Sequence, residues 1–234
     1  MDDAQLLHQY ATEGSEAAFQ TLVRRHLGLV HGAALRQLGD RTLADDVAQA
    51  VFLLLARKAG RLGRGVVVSG WLYRTTGYVA SRVRRSEFRR RQREQEALDM
   101  SQLQSTDEVW KRPSPELDEA LSRLGETDRN VILLRFGRGH SHREVGEVLG
   151  LSEEAVRKRA QRALDALRTF LSRAGITVSA GVLSTLLVER INAQPPAGLE
   201  MGILVRVRDG AAVPGPVGDI VRDTLAGWRA AWIS

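Results

Sequence analysis

Cysteine is absent from the 234 residues, so no disulfide or thiolate metal site is available. A bilayer span needs about 20 consecutive apolar residues, and the longest apolar-leaning run, ITVSAGVLSTLLV at 176–188, falls short of that. The opening MDDAQLLHQY is acidic and has no basic stretch leading into an apolar one. No secretory signal is therefore expected, and the protein reads as cytoplasmic. Strand-like alternation is nearly missing before residue 200, whereas helical periodicity runs throughout. Nucleophile–base pairs, phosphate-cradling glycine loops and clustered metal ligands are also missing. That argues against an enzyme, a cofactor, a metal or a small-molecule substrate. His8, His26, His31, His140 and His142 are scattered or loop-borne, and structural or solvated roles are expected for them.

Arginine is what the chain has in excess. Lys and Arg total 34 against 28 Asp and Glu, a net charge of +6. The excess is densest in SRVRRSEFRRRQRE, residues 81–94, with seven arginines, two acids and no Gly or Pro. A helix that basic repels itself and calls for a polyanionic partner. A membrane surface is disfavoured because the other face lacks a broad apolar stripe.

Helices are expected near 3–13, 15–37, 42–58, 68–98, 115–124, 127–137, 141–149 and 152–173. Residues 94–119 carry eight acids against two bases and contain KRPSPE. Each proline favours extended geometry before it, so this stretch reads as a linker. The expected fold is all-α: two small helical domains, 1–98 and 115–173, joined by an acidic linker at 99–114. A C-terminal extension, 174–234, follows. NAQPPAG and AAVPGPVG are breakers there, and MGILVRVRDG reads as a short strand or a hydrophobic docking segment. The aromatics of TLAGWRAAWI suit contact with a membrane or a protein. A regulatory or self-inhibitory role and an amphipathic docking role both stay open for the extension.

SHREVGEVLGLSEEAVRKRAQRA, residues 141–163, has the pattern of a helix-turn-helix. Ser141 and Glu144 make a capping box, and Gly150 permits the left-handed turn that ends the first helix. Val145, Val148 and Leu149 form its apolar face. Gly146 is a poor helix former, and close packing is the expected reason for it. Ser152 caps the second helix, whose inner face is Val156, Ala160, Ala163 and Leu167. Glu153, Arg157, Lys158, Gln161 and Arg162 point outward, as the side chains of a helix reading the major groove do.

In TLADDVAQAVFLLLARK, residues 42–58, Thr42 is the expected cap. Leu43, Val47, Val51, Leu54 and Leu55 form the apolar stripe. Asp45, Asp46, Gln49 and Phe52 share another, exposed face. Adjacent carboxylates near a helix start are stabilised by the helix dipole, and no His or third carboxylate stands at ligand spacing. A protein-docking face or a capped solvated face remains.

The order of these features resembles the bacterial sigma-70 family of RNA polymerase factors, in its small extracytoplasmic-function type. GSEAAFQTLVRRH, LADDVAQAVFLLLARK, GWLYRTT and the Arg-rich helix match region 2. LDEALSRLGETDRNVILLRF and the helix-turn-helix match region 4. The resemblance covers roughly residues 3–173. It implies a non-catalytic specificity subunit whose partners are promoter DNA, core RNA polymerase (β′ clamp and β flap) and an anti-sigma factor. Asp45, Asp46, Gln49 and Phe52 then match the clamp-docking surface. Segment 61–70, RLGRGVVVSG, matches the loop that captures a −10 base. Arg61, Arg64, Ser69, Trp71, Arg82, Arg85 and Arg89 are the −10 candidates, with Tyr73 and Tyr78 as further stacking candidates. For Trp71, core packing is the stronger expectation. Ser152, Glu153, Arg157, Lys158, Gln161 and Arg162 are the −35 candidates. VVVSG is unusually apolar for the capturing loop, and Tyr78 and Arg82 stand where the family often has Asn and Asp. The alternative is a stand-alone helix-turn-helix regulator, which would need no docking face.

Overall fold

The computed structural model describes residues 1–63, 65–97 and 115–227. Arg64, the linker at 99–114 and the tryptophans at 228 and 232 lie outside the described residues, as do the side chains of 90–97. Among the described residues every regular element is helical, and no helix is long and apolar enough to cross a membrane.

The first domain is built from α1 (Asp3–Glu13), α2 (Glu16–Leu38), α3 (Arg41–Lys58) and α4 (Val68–Ala97), with a 3-10 turn at Ala59–Arg61 after α3. Helix α2 packs on α1, α3 and α4, and Phe19, Leu22, Leu54, Leu55 and Leu72 are fully buried between them. Removing each such side chain from water is worth roughly 1.5–3 kcal/mol. The cap of α3 differs from expectation. Asp40, not Thr42, accepts the Leu43 amide at 3.0 Å. Gly39 closes α2 in the left-handed region, leaving one residue between the helices, and that residue takes the cap.

The second domain contains α5 (Pro115–Arg123), α6 (Glu126–Ile132), α7 (His142–Leu149) and α8 (Glu153–Arg173). The single helix expected over 127–137 ends as a π turn at Leu133–Gly137. Gly137 lies against Ile191, whose Cγ2 would be 2.8 Å from an added Cβ.

The extension folds into α9 (Ala180–Ile191), α10 (Leu199–Arg208) and α11 (Gly215–Gly227). The strand reading of MGILVRVRDG is thereby corrected. Leu199 and Ile203 recur at helical spacing and bury one face, with Val207 partly buried beside them. Helix α9 joins the core between the two domains: Leu183, Leu187 and Ile191 cluster with Leu29 and Ala33 of α2 and with Leu121 and Leu167. Its trailing backbone crosses α2 where Gly28 and Gly32 leave no Cβ, and the Ala193 amide donates to the Gly28 carbonyl at 3.1 Å. Helices α10 and α11 return to the first domain and pack on α3, with α11 also against α4.

Candidate nucleic-acid and protein interfaces

The helix-turn-helix forms as its residues predict. Ser141 Oγ accepts the Glu144 amide at 3.2 Å, and Glu144 Oε2 accepts the Ser141 amide at 2.7 Å. Gly150 has φ 66° and the Leu151 amide donates to the Gly146 carbonyl at 2.9 Å. That approach explains Gly146, because a Cβ there would lie 2.5 Å from the Leu151 carbonyl oxygen. Ser152 Oγ caps α8 through the Ala155 amide at 3.2 Å. Val156, Ala160, Ala163 and Leu167 are buried as expected, while Val148 is not and stays 44% exposed. The α7–α8 crossing is filled by Val145, and Val148 sits one turn away from it.

On the outer face Glu153, Arg157, Lys158, Gln161 and Arg162 are all exposed. Arg157 pairs with Glu153 at 3.3 Å, Lys158 with Glu154 at 2.8 Å, and Gln161 Nε2 donates to Asp165 at 3.3 Å. Such exposed i,i+4 contacts hold little energy and release readily for a stronger acceptor. Arg162 has no ion pair among the described residues.

The row on α3 is a different kind of surface. Phe52 is fully buried, which corrects the expectation that the row is exposed. It belongs to an apolar cluster that includes Leu199, Ile203, Val213, Val217, Ile220 and Val221 of the extension. Asp45 Oδ1 lies 2.9 Å from His31 Nε2, so it ties α3 to α2. Asp46 is half-buried: burial pushes its carboxyl above the usual range, and the nearby Arg206 charge opposes that push. Gln49 Oε1 is buried with no hydrogen-bond partner.

Helix α4 carries the arginines. Arg85 and Arg89 are exposed, and Arg82 donates to Tyr78 Oη at 2.9 Å and faces Asp223 of α11 at 3.5 Å. Arg61 is exposed at the 3-10 turn, whereas Ser69 and Trp71 are buried. Tyr73 is buried too, so it is no stacking platform in this arrangement. Its hydroxyl donates to Asp118 Oδ1 at 2.8 Å, and burial first, then Asp118, push its pKa well above the usual value.

The same Asp118 receives Arg36 at 2.7 and 3.0 Å, a buried bidentate pair between the two domains. The Arg36 guanidinium also donates to the Arg190 carbonyl before α9 ends. Asn130 presses on Gly70, where no Cβ has room, and Val67 of the 61–70 segment packs against the helix-turn-helix core. These interdomain contacts carry no local pattern and escaped the sequence reading.

The histidines are structural where buried. His26 Nε2 meets Asp3 Oδ2 at 2.7 Å. Burial depresses its pKa, the Asp3 contact opposes that, and the Arg138 and Arg25 charges reinforce it.

Models of two protein families match the chain: "Sigma-70 region 2" over residues 22–97 and "Sigma-70, region 4" over residues 120–169. ECF RNA polymerase sigma factor SigM of Mycobacterium tuberculosis is 30% identical over 69% of this chain and 80% of its own length. The chain belongs to the sigma-70 family, in its ECF type. RNA polymerase sigma factor CarQ of Myxococcus xanthus is 29% identical, over 71% of this chain and 97% of its own length. The probable sigma factor RfaY of Xanthomonas campestris is 30% identical over 72% of this chain, but the match spans only 44% of RfaY. This sigma factor directs RNA polymerase to promoters, binding the core enzyme and promoter DNA as a non-enzymatic subunit. A stand-alone regulator that ignores polymerase is thereby set aside.

Proposed function

We propose that region 2 occupies residues 1–98 and region 4 residues 115–173, with 99–114 as their linker and 174–234 as the extension. In this reading Asp45, Asp46, Gln49 and Phe52 dock on the β′ clamp, and region 4 meets the β flap. Arg82, Arg85 and Arg89, with Arg61 and Arg64, serve the −10 element, whereas the buried Ser69 and Trp71 support the fold beside them. The −35 element is read by Glu153, Arg157, Lys158, Gln161 and Arg162, with Ser152 capping the helix that presents them. The factor works in the cytoplasm, beside polymerase and DNA, and an anti-sigma factor is a further partner of it. The observation that carries this reading is the exposed, Ser152-capped row on α8.

The two DNA elements lie about 25 base pairs apart, roughly 80 Å of duplex. Regions sharing a buried core around Tyr73, Leu121 and Leu167 do not read both at once, so promoter binding requires them to part. Extended at ~3.5 Å per residue, residues 98–114 reach roughly 60 Å. With the recognition helix beyond that, the separation is within range.

Run-off transcription with core polymerase and a promoter library, alongside binding measurements, tests the assignment. Arg162→Ala is expected to weaken holoenzyme binding by roughly 1–3 kcal/mol, concentrated on cognate −35 sequences. Uniform weakening would make Arg162 a phosphate contact. Asp46→Arg is expected to abolish association with the core enzyme, and wild-type association by this folded variant would refute the docking surface.

A further inference from the structure

We infer that residues 199–227 act as a built-in occupant of the polymerase-docking surface, holding the free protein in a closed state from which α10 and α11 must lift before the clamp binds. The inference rests on the docking role proposed for the α3 row.

Three observations converge on it. Packing is the first. Helix α10 lies on α3 and α2, and α11 on α3 and α4. Phe52, the aromatic member of the row, is fully buried in the cluster that takes in Ile203 and Val217. A clamp helix and α10 cannot both cover the same side of α3.

Charge is the second. Arg206 of α10 stands near enough to Asp46 to oppose the rise that burial imposes on its carboxyl. On the next face Asp223 of α11 brings a carboxylate to 3.5 Å from Arg82, where a DNA phosphate is the proposed partner. The extension thus offers a cation to the acidic docking row and an anion to the promoter-facing arginine. Each charge stands in for that of the partner it would exclude.

The third is the way the segment is attached. Helix α9 is anchored by Leu183, Leu187 and Ile191 in the core between the regions. Pro195 and Pro196 then lead to Gly198, at φ 88°, where α10 starts with no side-chain cap. The closed arrangement is also imperfect: Gln49 Oε1 of the row is buried without a hydrogen-bond partner, and Met201 and Val205 of α10 leave apolar surface in water. An unsatisfied buried acceptor makes the closed state less stable than its apolar contacts suggest. That suits a cover that must leave, more than a permanent part of the core.

The test uses the full chain and measures affinity for core polymerase. A ligand that binds only the open form has an apparent Kd raised by the inverse of the open fraction. If the closed form holds about nine-tenths of the molecules, opening it tightens binding about tenfold. Arg206→Glu places like charge beside Asp46 and removes the 3.1 Å bond from Arg206 to the Ala212 carbonyl, a change confined to the extension. Ile203→Asp removes the buried anchor of α10. Either variant, with its helical signal retained, is expected to bind core polymerase about tenfold more tightly than the parent. Unchanged or weaker binding by folded Arg206→Glu overturns the inference, the weaker case making the extension a polymerase contact. Asp46→Arg in the Arg206→Glu background keeps the two claims apart. If that double variant binds as Arg206→Glu does, the docking surface itself is misassigned. If it loses binding while Arg206→Glu gains none, docking stands and the cover fails.

Discussion

The outer face of α8 and the Asp45–Phe52 row of α3, for which docking is proposed, are built alike, each on a capped helix with an apolar stripe turned inward, yet α8 presents its row to solvent while α10 and α11 pack on α3 and Phe52 is fully buried. Composition explains the difference. The α8 row holds Glu153, Arg157, Lys158, Gln161 and Arg162, charged or amide side chains that are costly to bury without partners. The α3 row ends in Phe52, whose ring gains by burial, and its carboxylates have His31 and Arg206 within electrostatic reach. A row with an aromatic centre is easily covered by the chain's own apolar helix. A row of long cations is not.

That contrast can be broken at several points. The largest expected effect is at Phe52. Phe52→Ala empties a fully buried site and is expected to cost about 3–5 kcal/mol in denaturant unfolding, whereas a loss below about 1 kcal/mol would mean that the Phe52 ring is not enclosed. Gly146→Ala should come next, although Ala improves helix propensity by about 1 kcal/mol. Its Cβ would meet the Leu151 carbonyl oxygen at 2.5 Å, so a net loss of about 1–3 kcal/mol is expected from overpacking. Promoter binding through α8 should fall with it, and thermal melting with a −35 binding assay checks both.

A pH series sharpens the comparison from the buried side. His26 has a depressed pKa in the folded protein, so below the ordinary value of 6.5 the unfolded chain takes up a proton that the native state resists. Asp3, whose carboxyl is held well below its usual range, acts in the same direction at lower pH. Burial raises its pKa, but the His26 and Arg25 contacts outweigh that. Stability is therefore expected to be flat from pH 6.5 to about 9, where unfolded tyrosine is still protonated, and to fall as pH drops below 6.5. Urea midpoints at stepped pH report this, and His26→Asn should flatten the upper part of the fall. The smallest effect belongs to the open face. Arg157→Ala should change folding stability by no more than about 0.5 kcal/mol, since its pair with Glu153 is exposed. A core-sized loss there would show α8 to be covered as well.

Much of this arrangement is legible in the sequence. The caps at Ser141 and Ser152, the turn at Gly150 and the inner stripe from Val156 to Leu167 all depend on neighbours within a few residues. Local chemistry decides them. Thr42 misled because Asp40 is an equally good cap and the αL turn at Gly39 brings it into place first. MGILVRVRDG misled because a short apolar run fits a strand or a buried helix equally well, and only the surface it meets decides between them.

The sequence by itself determined the helices, the turn between α7 and α8, the outward cations of α8 and, through the order of its motifs, the family. Each of these follows from spacing along one segment, where period, caps and glycine positions suffice. Tertiary structure alone decided which surfaces stay open. Arg36 finds Asp118 82 residues away, Gly28 and Gly32 admit the backbone that follows α9, and Phe52 is buried in a cluster that takes in Leu199 and Ile203 of α10. Burial between distant segments depends on how complementary faces meet in space, and no periodicity within either segment records which partner the other will be.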